Sequence, residues 1–173
     1  MSYSGFSKSH VFAASPQASQ RKMALPIFGG ITVFGGPYPE KPAGMFGVNL
    51  AAEIALPSEI ALPIRNYGAP TQAALQEGIA QAIERLAKGE ILYAGCKFGY
   101  GRTGLFMACL AKACGIANPI EWTRSLYHPK AVESEEQVEF VQNFDASALT
   151  QRLRELHAFP EPERSAAQKS PPM

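Results

Sequence analysis

Apolar positions follow three different patterns along the chain. Between Thr71 and Lys88, Leu75, Ile79, Ala82, Ile83 and Leu86 recur at the spacing that puts one stripe on one face of a helix. Thr71 stands where a hydroxyl can cap the first turn, and Gly89 where a left-handed residue can end the last. The next run, Glu90-Ile91-Leu92-Tyr93-Ala94, is short and mostly apolar, the pattern of a strand buried on both faces. From Leu105 to Cys114 nearly every position is apolar, which predicts a buried helix stopped by Gly115. Further helices are predicted from Asn118, with Pro119 at the first position, and over Ala148 to Leu156. Between them, Ser134-Glu135-Glu136-Gln137 reads as a capping box opening Val138-Glu139-Phe140-Val141.

The N-terminal part is punctuated differently. Eight of the 14 prolines lie in the first 70 residues, and none lies between Thr71 and Asn118. From Pro26 to Pro70, Ile27-Phe28, Ile31-Thr32-Val33-Phe34 and Met45-Phe46-Gly47-Val48 alternate with Gly and Pro, and read as short strands and tight loops. The Ser-, Ala- and Gln-rich segment 1–22 and the Pro-rich tail 159–173 are expected to be flexible, leaving one domain over 23–158. A helix, a wholly apolar strand and a second helix, in that order, predict an α/β domain. Its central sheet is expected to be mainly parallel, of about four or five strands, and flanked by helices.

Composition excludes several functions. The chain has 173 residues, 46% apolar and 18% charged, which is the make-up of a folded protein. Sixteen Lys and Arg against 15 acids leave a net charge of +1, without the basic excess that general nucleic-acid or membrane-surface binding requires. The three cysteines form no Cys-x-x-Cys pair, which argues against a disulfide framework or a zinc ribbon and for a reduced, cytoplasmic setting. No apolar run reaches the roughly 18 residues of a membrane span, and the first residues lack a signal peptide's apolar block. His10, His128 and His157 are scattered, so neither a metal nor another cofactor is expected.

The chemistry is concentrated in Cys96-Lys97-Phe98-Gly99-Tyr100-Gly101-Arg102-Thr103-Gly104. Here a buried strand runs into a tight loop, and a buried helix opens at the arginine. Glycines at 99 and 101 allow successive backbone N–H groups of residues 97–102 to turn inward as an anion cradle, and the helix aims its positive end at the same point. A thiol in such a setting favours its thiolate, with pKa values of about 3.5–7.5 being typical. Arg102 adds a planar fork suited to two phosphate oxygens. Thr103 is positioned to give its hydroxyl to the Cys96 sulfur as that atom leaves a phospho-cysteine. Cys109 and Cys114 lie inside the apolar helix and read as core thiols.

These residues resemble the signature His-Cys-x5-Arg-Ser/Thr-Gly of the cysteine-dependent protein tyrosine phosphatase superfamily, the match covering Cys96, Gly99, Gly101, Arg102, Thr103 and Gly104. The spacing of 30 residues from Asn66 to Cys96 is similar to that of the compact dual-specificity branch, where a general acid stands before a Pro-terminated loop; the corresponding stretch is Ile64 to Pro70. The segment Ala131 to Phe140 is similar to the family's glutamine loop. The resemblance implies the protein tyrosine phosphatase fold and a phosphomonoesterase acting through Cys96, with Gln137 directing water at the intermediate. Phosphotyrosine-type protein substrates are favoured. Two departures stand out. Gly95 replaces the histidine that buttresses the loop, and the acid position is held by Asn66, an amide with no proton to give; Glu53, Glu59 and Tyr67 are candidate substitutes. The rival readings are a phosphate-binding pseudophosphatase and a phosphatase acting on nucleotides, RNA ends or inositol phosphates.

Overall fold

In the computed structural model of the chain, which describes residues 19–161, five strands and five α-helices build one sheet and one helical layer. The strands are β1 (Arg21–Leu25), β2 (Ile31–Pro37), β3 (Phe46–Ala51), β4 (Ile60–Ile64) and β5 (Leu92–Cys96). They lie in the order β1-β2-β5-β3-β4; only the β1–β2 hairpin is antiparallel, and β2, β5, β3 and β4 run parallel. The helices are α1 (Gln72–Ala87), α2 (Gly101–Ala113), α3 (Pro119–Leu126), α4 (Glu135–Asn143) and α5 (Ser147–Glu155).

The topology follows from handedness. From β2 to β3 the chain skips one place in the sheet, and from β4 to β5 it skips one place back. Right-handed crossovers put two such connections on opposite faces. The first carries a short 3₁₀ turn, Tyr38–Glu40, whose Tyr38 covers Gly47 and Gly95. The second is α1, which packs on β4 and against α2 and α5. At the centre of the helical layer is α2, which touches the other four helices as well as β5 and β3. All but one of its residues are buried, which is why its sequence shows no polar face.

The helix signals act as read. The Thr71 hydroxyl accepts from the Ala74 N–H at 3.2 Å, and Gly89 and Gly115 end their helices at φ +83° and +87°. Several boundaries shift. Ile27-Phe28, expected as a strand, is the turn between β1 and β2. Phe28 (φ +51°), Gly29 and Gly30 adopt left-handed backbone there, and Ile27 is apolar because it drops into the core. β1 begins at Arg21, inside the segment 1–22 that was expected to be flexible, because Arg21 and Lys22 pair with Gly35 and Phe34. At the other end Phe159, assigned to the tail, packs against the core. The expectations for 1–18, with His10, and for 162–173 lie outside the described residues. β5 starts at Leu92, later than expected, since Ile91 is largely exposed, and it runs on through Cys96. β4 was not visible as a separate element: Ile60, Leu62 and Ile64 point inward while Ala61 and Pro63 face solvent, a strand that tolerates proline because it is at the sheet edge. No described helix is long and apolar enough to cross a membrane.

Candidate active site

The carboxyl ends of the parallel strands meet where an open α/β sheet collects its ligands. β5 ends at Cys96, and residues 97–100 loop over to α2, which starts at Gly101. Two donors face the buried sulfur: the Gly99 N–H and the Thr103 hydroxyl, each 3.2 Å from Cys96 Sγ. Gly99 sits at φ +80°, and a Cβ there would stand 2.4 Å from the Gly36 carbonyl carbon. The loop therefore rests directly on the backbone of β2, which only glycine permits. Lys97 and Phe98 point to solvent, with the Lys97 ammonium 5.3 Å from the Phe98 ring centre, so what they offer the cradle is backbone.

Arg102 is buried, and its guanidinium is held on one edge. Nη1 and Nη2 donate to the two carboxylate oxygens of Glu53 at 2.7 and 2.6 Å, and Nη1 also donates to the Ile64 carbonyl at 2.8 Å. Glu53 is set by a turn that Asn49 closes beyond β3: Asn49 Nδ2 donates to the Ile54 carbonyl, and its Oδ1 accepts from the Ala51 N–H. Burial opposes the charge on Arg102, but Glu53 and the Cys96 sulfur outweigh it and raise its pKa. The same pair holds the Glu53 carboxyl at about 2, with the Arg102 hydrogen bond as the main cause. Glu53 is thus ionised at neutral pH and has no proton for a leaving group, which removes it as a substitute acid. Glu59 is removed by position, because its carboxylate accepts from the Gly47 N–H at 2.6 Å near the amino end of β3, away from the loop.

Asn66 and Tyr67 are exposed on the turn after β4. That turn is tied to the N-terminus of α4. The Ser134 hydroxyl donates to the Tyr67 carbonyl at 2.7 Å, and Gln137 Nε2 donates to the Gly68 carbonyl at 3.1 Å. Gln137 is fully buried and completes the capping box, with Oε1 accepting from the N-cap Ser134 N–H at 3.4 Å and also from the Glu133 N–H at 2.8 Å. The same Oε1 would lie 3.0 Å from a Cβ on Gly101, so the cap and the start of α2 are in contact. Glu133, unremarked in the sequence, brings its Oε2 to 2.7 Å from that point.

A Cβ on Gly95 would be 2.7 Å from Tyr38 Cα and 2.9 Å from the Gly36 carbonyl oxygen, so the position before Cys96 has no room for a side chain. The loop is buttressed from elsewhere: the buried Tyr127 hydroxyl donates to the Gly99 carbonyl at 2.7 Å. Sequence reading missed Tyr127, because a tyrosine at the end of a short helix carries no local signal of a contact 28 residues away. His128, left without a role by the sequence, stacks on Tyr100 with ring centres 4.5 Å apart. Cys109 and Cys114 have their pKa values pushed up by burial, Cys114 to about 12, in keeping with core thiols. Among the described residues no group of three or more His, Cys, Asp or Glu gathers to hold a metal ion.

A parallel sheet whose central strand delivers a cysteine into a glycine loop, closed by an arginine at the start of a buried helix, defines the protein tyrosine and dual-specificity phosphatase class. The chain belongs to the PTP-SAK family, the DSP-PTPase phosphatase domain of Swiss Army Knife proteins, whose family model matches residues 37–160. Two uncharacterized proteins of Methanocaldococcus jannaschii are similar. One is 37% identical over 83 residues, 48% of this chain and 56% of the relative. The other is 40% identical over 80 residues, 46% of this chain and 50% of the relative. The chain thus spans about half the length of these curated relatives. Among solved structures, the active form of Tk-PTP superposes with a TM-score of 0.55 at 22% identity, covering 69% of this chain and 92% of its own. A variant of human DUSP28 gives 0.58 at 18% identity, covering 69% and 92%. Kinase associated phosphatase with its catalytic cysteine substituted by serine gives 0.58 at 15% identity, covering 74% and 95%. These likenesses concern the fold.

Proposed function

We propose that the chain hydrolyses phosphomonoesters through a phospho-cysteine intermediate on Cys96, with aryl esters of the phosphotyrosine type preferred. The observation that carries this reading is the convergence of the Gly99 N–H and the Thr103 hydroxyl on Cys96 Sγ, beside an Arg102 whose Nε edge is left for oxygens by the Glu53 pair. Sγ attacks phosphorus, the P–O ester bond breaks, and its electron pair leaves on the ester oxygen. The loop amides of residues 97–102 and Arg102 hold the three equatorial oxygens, where charge is spread in the transition state. Water held against Gln137 then forms the new P–O bond, the S–P bond breaks to return the thiolate beside the Thr103 hydroxyl, and both of the water's protons leave on inorganic phosphate.

The preference for aryl esters follows from proton supply. Asn66 has no acidic proton and Glu53 is ionised, so the leaving oxygen departs with its charge, which a phenolate tolerates better than an alkoxide. The deciding experiment is p-nitrophenyl phosphate turnover by wild type and by Cys96→Ser, with phosphate binding measured in parallel. The expected result is turnover in wild type, at least about 10³-fold less in the variant, and retained phosphate binding. Turnover that survives the substitution overturns the mechanism. Phosphate binding with no turnover in wild type identifies the rival instead, a phosphate-binding module that has lost its acid.

A further inference from the structure

α1 and α4 open on hydroxyl caps, Thr71 and Ser134, whereas α2 opens at Tyr100 without a side-chain cap. The free N–H groups of that first turn are the ones an anion at Cys96 would take, and a capping side chain would compete for them. Tyr100 is also the hinge between the loop and the helix. Its carbonyl accepts the Gly104 N–H at 2.8 Å, the first bond of α2, so its position decides where the amides of residues 101 and 102 point.

Tyr100 is held by its ring. His128 stacks on it with ring centres 4.5 Å apart and planes 20° apart, and the Arg21 guanidinium carbon and the Lys130 ammonium lie 4.8 and 5.6 Å from the ring centre. The imidazole is itself fixed, because Nδ1 accepts the Lys130 N–H at 3.0 Å and the His128 N–H donates to the Thr123 carbonyl at 3.2 Å. Burial first, and then the charges of Arg21 and Lys130, keep its pKa below the ordinary value, so at neutral pH it stacks as an uncharged ring. Its neighbours in the chain serve the same loop. Tyr127 donates to the Gly99 carbonyl, a Cβ on Gly104 would stand 2.6 Å from Ala131 Cα, and Glu133 and Gln137 meet Gly101. Arg124 of α3 braces this stretch by donating to the Ala131 and Val132 carbonyls at 2.9 and 2.8 Å. A single segment, 127–137, thus meets the loop and the start of α2 at residues 99, 100, 101 and 104.

We propose that His128 is a positioning residue of the Cys96–Gly104 loop: its ring, stacked on Tyr100, holds the amides of residues 97–102 turned toward the anion, in place of a buttress for which Gly95 leaves no room. The proposal rests on the phosphatase reading above. A loop that spends less time in its binding form binds less tightly in the same proportion, and saturating substrate restores it, so the effect falls on KM and not on kcat. The test measures p-nitrophenyl phosphate kinetics, and inorganic phosphate binding in the Cys96→Ser background, for His128→Ala, His128→Phe, Tyr100→Leu and the double variant His128→Ala/Tyr100→Leu. His128→Ala and Tyr100→Leu should each raise KM and weaken phosphate binding about fivefold, the size expected of a stacked pair aided by nearby cations. In both, kcat should stay within about twofold. His128→Phe keeps a ring without the nitrogens and should stay within about twofold of wild type throughout. The double variant should be no worse than the worse single one, because both remove the same contact.

A His128→Ala protein whose KM matches wild type overturns the proposal. So does a loss that His128→Phe fails to restore, a loss carried by kcat with KM unchanged, or losses that add in the double variant. If wild type turns over no substrate, the phosphatase reading fails separately, and hydrogen exchange of the amides of residues 97–104 tests the stack by itself. Faster exchange there in His128→Ala, restored in His128→Phe, supports the positioning role, and equal exchange in all three proteins overturns it.

Discussion

The two flanks of the Cys96–Gly104 loop treat positive charge in opposite ways. On the β3–β4 side Arg102 is 2% exposed, and its guanidinium is neutralised by Glu53 and capped by the Ile64 carbonyl. On the β1–α3 side Arg21 and Lys130 stand around Tyr100 at the surface without a carboxylate partner among the described residues. Burial accounts for the difference. A guanidinium taken out of water needs a counter-charge to remain in place, whereas a cation that keeps water on one side needs none. The paired flank therefore has its guanidinium fixed by three hydrogen bonds, while the cations of the other flank lie against an aromatic ring.

Breaking the paired flank should have the largest effect. Glu53→Gln keeps the shape but removes the charge that orients Arg102, and p-nitrophenyl phosphate kcat/KM should fall by about tenfold or more. The pH dependence of stability should change as well. With its folded pKa at about 2 and an ordinary value of 4.5, Glu53 contributes stability above pH 4.5 that disappears as pH falls toward 2. Urea midpoints of wild type and Glu53→Gln should then differ at pH 7 and converge in acid. The gap should be modest, because the Glu53 side chain is 41% exposed and solvent screens it. An unchanged rate would mean that Arg102 finds its geometry without Glu53.

On the other flank, Tyr127→Phe leaves the Gly99 carbonyl without its donor. It should cost about 1–3 kcal/mol in urea unfolding and lower kcat several-fold on every substrate alike. A selective loss on one class of substrate would instead assign Tyr127 to the ligand. The smallest effect is expected at Glu133, the carboxylate that meets Gly101. If the leaving group departs unprotonated, Glu133→Gln should stay within about twofold of wild type across the pH–rate profile. Loss of a basic limb in that variant would make Glu133 the proton donor.

What the sequence disclosed was what neighbouring residues decide among themselves. The stripe Leu75 to Leu86, the Ser134–Gln137 capping box and the Cys96–Gly104 loop are each complete within one or four turns of chain, and each stands where it was read. The contacts that finish the site are not local. Glu53 and Arg102 are 49 residues apart, so nothing near Glu53 separates an arginine partner from a spare acid. The glycine at 95 read as a lost buttress because its reason, the Tyr38 and Gly36 backbone lying against it, belongs to other elements. β4 escaped because five residues with an outward proline look like loop until the sheet edge explains them.

Gln137 carries a further consequence for how this protein responds to change. Its one side-chain amide closes the first turn of α4, ties that helix to the Gly68 carbonyl, and stands against Gly101. Removing it would therefore take away a helix cap and a link between elements together with the water-directing group of the proposed mechanism. A slow Gln137→Ala variant would not by itself measure chemistry. Selection acting on fold stability alone would keep the residue in place, whatever part it takes in the proposed chemistry.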